Sequence, residues 1–279
     1  AGAEQTVEDR LVKLDWNIND DHRASVRWQK TDQVEPIFSG FSATGISLSS
    51  YLYSEVKNNE STVVQWFGDW TPNFSTEVKL SQRDFGKDHA NNAYLPAMAL
   101  QFTGPLPAGT PSSVRTGSRF INFGTERSRQ FNRLETKAQD AYVGATWVQG
   151  DHEVKFGGDY SKTEIFNAFL PDVNGNYTFG CTSSSATYTY EFGEVNCSTS
   201  PAAVIEQAVL ENFRRGRPTS YSAQLPVAGV TLQDTAANWT LENTGLFLQD
   251  SWTVSPRLSL TMGVRYDKAT TDDRPRRND

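Results

Sequence analysis

Apolar and polar residues alternate along four stretches of the chain, and a short turn rich in Asp, Asn, Gly or Pro interrupts each stretch. In GLFLQDSWTVSPRLSLTMGVRYD, apolar side chains from Leu258 to Tyr266 occupy every second position, with Ser, Thr, Gly and Arg between them. A period of two places successive side chains on opposite faces of a β-strand. The pattern predicts four antiparallel hairpins, near residues 11–31, 61–85, 134–166 and 241–268.

Long polar segments connect the hairpins. They lie near residues 31–60, 86–129 and 167–238 and are rich in Gly, Pro, Ser, Thr and Asn. Connections of this length are uncommon in compact soluble domains. In an up-and-down sheet, alternate connections emerge at the same end, so the tight turns are expected at one edge and the long loops at the other. The stretch Ile46–Val56 is either the outer half of a strand that continues to Trp70 or a hairpin inside the loop.

Helical periodicity occurs in one segment, PAAVIEQAVLENFRRG, between Pro201 and Gly216. Ala203, Ile205 and Val209 fall on one face at helical spacing. The segment predicts a short helix within the third long loop.

Strand alternation by itself fits two kinds of fold. In a soluble β-sandwich the apolar face packs on a second sheet, whereas in an outer-membrane barrel it faces lipid and the polar face lines a wet lumen. A tryptophan lies close to the tight turn of every hairpin: Trp16, Trp70, Trp147 and Trp252. Tryptophans at one height are typical of an aromatic girdle at a membrane interface, whereas a sandwich buries them in mid-strand.

The two faces differ in a way that also favours lipid. The apolar face mixes Ala, Val and Leu with smaller residues, which would leave voids in a core packed to crystal density. The polar face carries charges of both signs. The residues predicted to face the lumen are Lys13, Asp15, Arg27, Glu77, Lys79, Lys155, Asp159, Arg265 and Asp267. The predicted fold is an all-β, antiparallel up-and-down transmembrane β-barrel wall of about eight strands from a larger barrel, with short periplasmic turns and long extracellular loops.

Composition narrows the function classes. The hydrophobic fraction is 37%, the aromatic fraction is 12% and the formal net charge is −7, so a nucleic-acid partner is not expected, because no basic patch supplies phosphate contacts. No run of 18 apolar residues predicts a transmembrane helix. The first residues, AGAEQTVEDR, lack the features of a signal peptide. The protein is therefore expected either to be cytosolic or to lack its true beginning in this chain.

Three segments resemble a known family. LENTGLFLQDSWTVSPRLSLTMGVRYD resembles barrel strands of TonB-dependent outer-membrane receptors, and LVKLDWNINDDHRASVRW and GDHEVKFGGDYSKTE resemble hairpins of the same superfamily. The greatest likeness is to its Oar-like branch. The resemblance covers the four hairpins, about half of the chain, and the long loops match no family. A complete member has an N-terminal plug and about 22 strands. This chain has about eight strands, no plug and no TonB box, so it is identified as a partial barrel segment.

The resemblance implies a receptor in the outer membrane of a Gram-negative bacterium. Its loops would capture a bulky, scarce ligand such as a metal chelate, an oligosaccharide or a peptide, and the TonB complex would then rearrange the plug. The implied partners are outer-membrane lipid, the TonB complex through the absent plug region, and the ligand. Two alternatives remain: an adhesin or binding protein without energised transport, and a soluble secreted β-sandwich binding module.

The third long loop carries candidate chemistry of its own. Cys181 and Cys197 are spaced as one disulfide that closes a loop, which implies an oxidising compartment; two free thiols are the alternative. The candidate ligand contacts in this loop are Tyr177, Phe179, Tyr188 and Tyr190. The alternative for these aromatics is that they pack the loop on itself.

Nothing in the sequence predicts catalysis. His22, His89 and His152 are the only histidines, and none has metal-ligand spacing with another His or Cys. Neither GxSxG nor a phosphate-binding GxxxxGK[ST] motif occurs. We therefore expect no catalytic site, no metal site and no cofactor. The alternative is an enzyme with isolated His, Asp or Ser groups at a barrel rim. If such an enzyme used His89, substitution of His89 would abolish its activity.

Overall fold

The computed structural model describes residues 4–103, 106, 108–111, 117–182 and 186–273. Fifteen strands lie within them. They are β1 (Thr6–Asn17), β2 (His22–Ile37), β3 (Gly45–Ser47), β4 (Tyr53–Thr71), β5 (Phe74–Asn91), β6 (Ala97–Phe102), β7 (Arg119–Phe123), β8 (Asn132–Gln149), β9 (His152–Phe169), β10 (Asn176–Phe179), β11 (Thr187–Tyr190), β12 (Gly193–Asn196), β13 (Ser220–Ser222), β14 (Ala237–Ser255) and β15 (Leu258–Thr271). They are joined by one α-helix, α1 (Ala202–Arg214), and by 3-10 turns at Ser49–Tyr51, Arg127–Arg129 and Gln233–Thr235.

The eight longest strands form one sheet in the order β1-β2-β4-β5-β8-β9-β14-β15. Every neighbouring pair is antiparallel. This up-and-down meander confirms the predicted all-β fold class and its eight strands. Within the described residues no pairing joins β1 to β15, so the sheet is an open wall and both outer strands have a free edge.

The wall strands are longer than the alternating pattern indicates. Both β4 and β14 have 19 residues, which corresponds to about 60 Å at roughly 3.3 Å per residue. The apolar band of an outer-membrane barrel is about 25 Å tall. Toward the long loops, polar residues occupy both faces, so the alternation fades while pairing continues. Ion pairs cross the strands there: Lys57 Nζ lies 3.0 Å from Glu35 Oε2, and Lys87 Nζ lies 2.7 Å from Glu55 Oε1.

The structure divides the ambiguous stretch Ile46–Val56 between two sheets. Ile46 and Ser47 belong to β3, which pairs in parallel with β7. The chain then makes a 3-10 turn, and Tyr53 begins the long strand β4. Only the end of the stretch therefore belongs to the strand that reaches Trp70.

The long connections fold into a second body, here called the loop layer, which consists of β3, β6, β7, β10 to β13 and α1. Five of its strands form a mixed sheet in the order β13-β10-β6-β7-β3, and β11 pairs with β12 as a separate hairpin. The predicted helix is present as α1. Among the described residues, no helix has both the length and the apolar character of a membrane span.

The hydrophobic core cluster of the described residues lies in the loop layer. Ile205, Ala208 and Val209 of α1 and Val195 of β12 are almost inaccessible. On the wall, by contrast, Leu80, Val143 and Leu246 are more than half exposed. Within the described residues no second sheet covers the apolar face of the wall, as a sandwich would require. The structure therefore does not support the sandwich alternative.

Candidate ligand-binding surfaces

Cross-strand register sorts the wall residues into two faces. One row of facing residues is apolar in its centre and runs through Leu14, Val26, Val64, Leu80, Ala141, Tyr160 and Thr244. The next row lies on the opposite face and runs through Asp15, Ser25, Gln65, Lys79, Tyr142, Asp159, Gly245 and Asp267. All nine charged residues that the sequence predicts for the lumen fall on this second, polar face, because facing residues share a side and sides alternate along each strand.

The four turn-proximal tryptophans lie on the apolar face, at the end of the wall where the tight turns are. Their exposed fractions run from 36% for Trp252 to 64% for Trp16. Two histidines lie beside them. His22 meets Trp70 edge-on with ring centroids 5.0 Å apart and stacks on Trp66 at 5.5 Å. His152 stacks on Trp252 at 5.4 Å, and its Nδ1 lies 2.7 Å from Asp250 Oδ2. A membrane-interface girdle remains the predicted role of these tryptophans.

Gly245 provides the space for an ion pair that spans three strands of the polar face. Arg265 of β15 passes over Gly245 of β14 and reaches Asp159 of β9, with Nη2 2.8 Å from Asp159 Oδ1. Its Nε also donates to Asp267 Oδ1 at 2.9 Å. A Cβ at position 245 would collide with the Arg265 guanidinium and lie 2.7 Å from Asp159 Oδ2. The glycine therefore allows the arginine to bridge two carboxylates.

A stacked aromatic pair lies flat on the polar face nearby. The rings of Tyr142 and Phe247 are 6.1 Å apart and nearly parallel. Tyr142 lies over Gly144, and Phe247 lies over Gly157. Two adjacent strands thus lack side chains where the rings lie, so the pair stays close to the wall and projects little.

Glu55 organises a polar cluster at the loop end of the same face. Its carboxylate lies 2.9 Å from Lys57 Nζ and 2.7 Å from Lys87 Nζ. His89, beside it, is 1% exposed in its side chain. Arg129 Nη1 is 3.0 Å from His89 Nε2, and His89 Nδ1 is 3.0 Å from the Asn132 carbonyl oxygen. Because guanidinium groups only donate, Nε2 accepts and Nδ1 carries the proton of a neutral imidazole.

Both ring nitrogens of His89 are therefore occupied by structural partners. No group of three or more His, Cys, Asp or Glu side chains within the described residues is arranged to hold a metal ion. This arrangement gives His89 a packing role in the wall.

Asp172 anchors the loop layer to the wall. It is 1% exposed and has a φ of 59°. Arg127 donates to both carboxylate oxygens, from Nε at 3.0 Å and from Nη2 at 2.7 Å, and Ser222 Oγ donates at 2.8 Å. These bonds join the turn after β7, the turn after β9 and the strand β13. Tyr51 lies in the same region, and burial, together with the negative charge of Glu126, raises its pKa to about 12.

The aromatic residues predicted to contact ligand are largely involved in packing. Phe179 and Tyr190 are 6% and 8% exposed, and Tyr188 packs against the cluster of Tyr190, Val195 and Ala208. This is a correction for Phe179 and Tyr190, because a side chain buried against α1 and its neighbours offers no surface to a ligand. Tyr177 is half-buried between Phe179 and Tyr221.

A disulfide joins Cys181 to Cys197, with the Cα atoms 5.7 Å apart. It links the segment after β10 to the end of β12, immediately before α1. Asn212 of α1 donates to the Gly180 carbonyl at 2.9 Å, beside the bridge. The disulfide and this hydrogen bond fasten the β11–β12 hairpin to the helix.

The loop layer contains an open groove of about 610 Å³, here called the β3–α1 groove. Helix α1 covers the other part of the sheet face, where Phe213 packs edge-on against Phe123 and Phe179. Within the described residues, the part beside β3 is left uncovered. Its lining includes Ile46, Phe102, Arg119, Ile121, Glu206 and Leu210. The sequence does not indicate these residues, since four of them come from short loop strands with too few positions to show a period and the other two lie on the exposed side of α1.

The groove is apolar at its floor and carries one charge of each sign. Ile46 and Ile121 face each other across β3 and β7, and Ile46 and Leu210 are about half exposed. Arg119 begins β7. Within the described residues, its guanidinium makes only one long hydrogen bond, from Nη1 to the Gly117 carbonyl oxygen at 3.4 Å. Glu206 projects from the exposed side of α1.

Comparison with known proteins adds independent evidence on the fold. The family model described as "Outer membrane beta barrel domain" matches residues 2–278. None of the curated proteins compared with the chain matches it.

Several solved transporters and receptors have a similar fold. They include the copper transporter OprC (13% identity, TM-score 0.50, covering 96% of this chain and 29% of that one). The ferric-catecholate import receptor Fiu of Escherichia coli K12 has 10% identity and a TM-score of 0.52, with coverage of 96% and 37%. The ferripyoverdine receptor of Pseudomonas aeruginosa has 13% identity and a TM-score of 0.52, with coverage of 96% and 31%. The chain thus spans about a third of each of these structures, and at this identity the likeness concerns the fold alone.

Proposed function

Since the chain belongs to the family of outer membrane beta barrel domains, we propose that it forms part of the wall and the loop layer of an outer-membrane receptor that takes up a bulky, scarce ligand. The TonB complex would supply the energy through a plug region. The ligand is a metal chelate, an oligosaccharide or a peptide. The resemblance of the hairpin sequences to TonB-dependent receptors supports this assignment, as does a fold similar to that of a copper transporter and a ferric-catecholate import receptor.

The observation that carries the proposal is the asymmetry of the wall. All long connections emerge at one end and fold into a body with its own buried core, whereas the other end has only short turns. One face of the wall is apolar and uncovered, and the other is charged. A wall with lipid on one side, a wet lumen on the other and ordered loops at one end suits a receptor that captures a ligand before passing it inward.

The four tryptophans and the charged residues have complementary roles in this proposal. The tryptophans form the girdle at the periplasmic interface, where their amphipathic rings are stable. The polar face lines the lumen, where Arg265 bridges the carboxylates of Asp159 and Asp267.

Orientation can be tested by cysteine labelling in intact cells with a membrane-impermeant maleimide. We expect Ala228→Cys, in the exposed connection between β13 and β14, to be labelled from outside. We expect Asp151→Cys, in the tight turn between β8 and β9, to be labelled only after the outer membrane is permeabilised. The native cysteines form a disulfide and provide an unreactive background. Labelling of Asp151→Cys alone in intact cells would reverse the orientation and contradict the proposal.

Energised uptake is tested separately. Cells with and without the protein are supplied with a panel of ferric chelates, oligosaccharides and short peptides, and depletion from the medium is measured with and without a proton uncoupler. Depletion that requires both the protein and the proton gradient is expected for one class. Depletion that requires the protein but is unchanged by the uncoupler would instead indicate passive binding, as in an adhesin.

A further inference from the structure

We propose that the β3–α1 groove binds the ends of a short apolar peptide, with Arg119 pairing with its carboxylate and Glu206 with its ammonium group. This inference rests on the proposed function and selects one of its three ligand classes. The groove volume of about 610 Å³ falls within the ordinary range of small-ligand pockets, about 300–1,000 Å³.

The apolar floor of the groove favours a ligand with an apolar body. Ile46, Ile121 and Leu210 expose aliphatic surface that no part of the described chain covers. Burial of such surface is favourable because it removes apolar area from water. An oligosaccharide would leave this surface unmatched and would have to desolvate its hydroxyls against it. An apolar side chain fits the floor.

The two charged residues of the groove determine which charged groups the ligand carries at its ends. A ferric chelate that carries several negative charges would require several cations, and Arg119 is the only cationic residue that lines the groove within the described residues. A guanidinium is well suited to a carboxylate, because it donates two parallel hydrogen bonds. Glu206 lies on the helical side and offers an acceptor for an ammonium group. One cation, one anion and an apolar floor together match a zwitterion with an apolar body.

The rest of the loop layer holds these groups in place. Ile205, Ala208 and Val209 are fully buried on the other side of α1, so Glu206 and Leu210 stand on a fixed helix. Arg119 starts β7, whose neighbours β6 and β3 pair with it on both sides. A preorganised site loses less conformational entropy when it binds.

The test uses the complete protein in detergent and measures binding by isothermal titration calorimetry. The probes are trileucine, N-acetyl-trileucine and trileucine amide. Each blocked peptide is expected to bind about three- to tenfold more weakly than trileucine, which corresponds to roughly 0.7–1.4 kcal/mol. Arg119→Gln is expected to weaken trileucine and the acetylated peptide but not the amide. Glu206→Gln is expected to weaken trileucine and the amide but not the acetylated peptide.

Arg214→Gln and Glu194→Gln are matched controls, since both remove an exposed charge of the loop layer outside the groove. They are expected to bind trileucine like the unaltered protein. If acetylation and Glu206→Gln have no effect while Arg119→Gln does, the ligand is an apolar carboxylate and the peptide assignment is wrong. If no peptide binds, the inference fails, whereas the proposed receptor function still stands if the uptake assay is positive for another class.

Discussion

At the scale of single residues, Asp172 has the strongest predicted effect on the loop layer. Removal of one partner from a buried ion pair costs about 3–5 kcal/mol, but the Arg127 side chain is 48% exposed, so we expect roughly 2 kcal/mol for Asp172→Asn. Asparagine keeps the shape and tolerates the positive φ. Hydrogen exchange of the β10 and β13 amides should accelerate. Asp234→Asn, at an exposed turn, should leave the hydrogen exchange of these amides unchanged. An equal effect of the two variants would contradict the anchoring role of Asp172.

Tyr51 makes the same region sensitive to alkali. Its pKa is raised from the ordinary value of 10.0 to about 12, so the unfolded state ionises first as the pH rises. The contribution of the neutral Tyr51 phenol to the free energy of unfolding is complete below pH 10 and is lost between about pH 10 and pH 12. Tyr51→Phe should reduce this loss, measured as the protease resistance of the loop layer against pH. Tyr94→Phe, which removes an exposed phenol, is the control. An unchanged profile for Tyr51→Phe would refute the idea.

At the scale of elements, the disulfide is expected to stabilise one hairpin and leave the wall unaffected. It spans 16 residues, and closing a loop of about 15 residues contributes roughly 3 kcal/mol in the chain-entropy model. Replacement of both Cys181 and Cys197 by Ser should allow proteolysis between β11 and β12. The wall strands should remain protected, since they share no core with the hairpin. Cleavage that begins in the wall would contradict this independence.

The elements also show where sequence reasoning succeeds and where it stops. Strand β15 alternates strictly from Leu258 to Tyr266, so its two faces are readable from the sequence alone. Helix α1 is readable because its buried positions recur at helical spacing. The loop strands β3 and β13 have three residues each, which is too short for any period to appear. The place of β13 depends on long-range contacts such as the bond from Ser222 to Asp172. The β3–α1 groove, which β3 helps to build, was not predictable for the same reason, since its position depends on pairing with β7.

At the scale of the whole molecule, the free edges of the wall are the feature that controls its behaviour. The first wall strand, β1, has 12 residues and the last, β15, has 14, and within the described residues each pairs on one side only. An exposed row of backbone donors and acceptors is stable in lipid only when another strand pairs with it. The similar solved structures are about three times as long as this chain. The additional length leaves room for further strands that would pair with β1 and β15.

We therefore expect the 279-residue chain, refolded by itself into detergent micelles, to aggregate and to show no heat-dependent shift in gel migration. Circular dichroism is recorded alongside to follow its β content. The complete protein, treated in the same way, is the control and should show the shift. A heat-dependent shift for the isolated chain would mean that β1 and β15 can pair and close a small barrel of eight strands. The wall would then be autonomous, and its lumen would be too narrow for a plug, because eight strands leave room for little more than their own side chains.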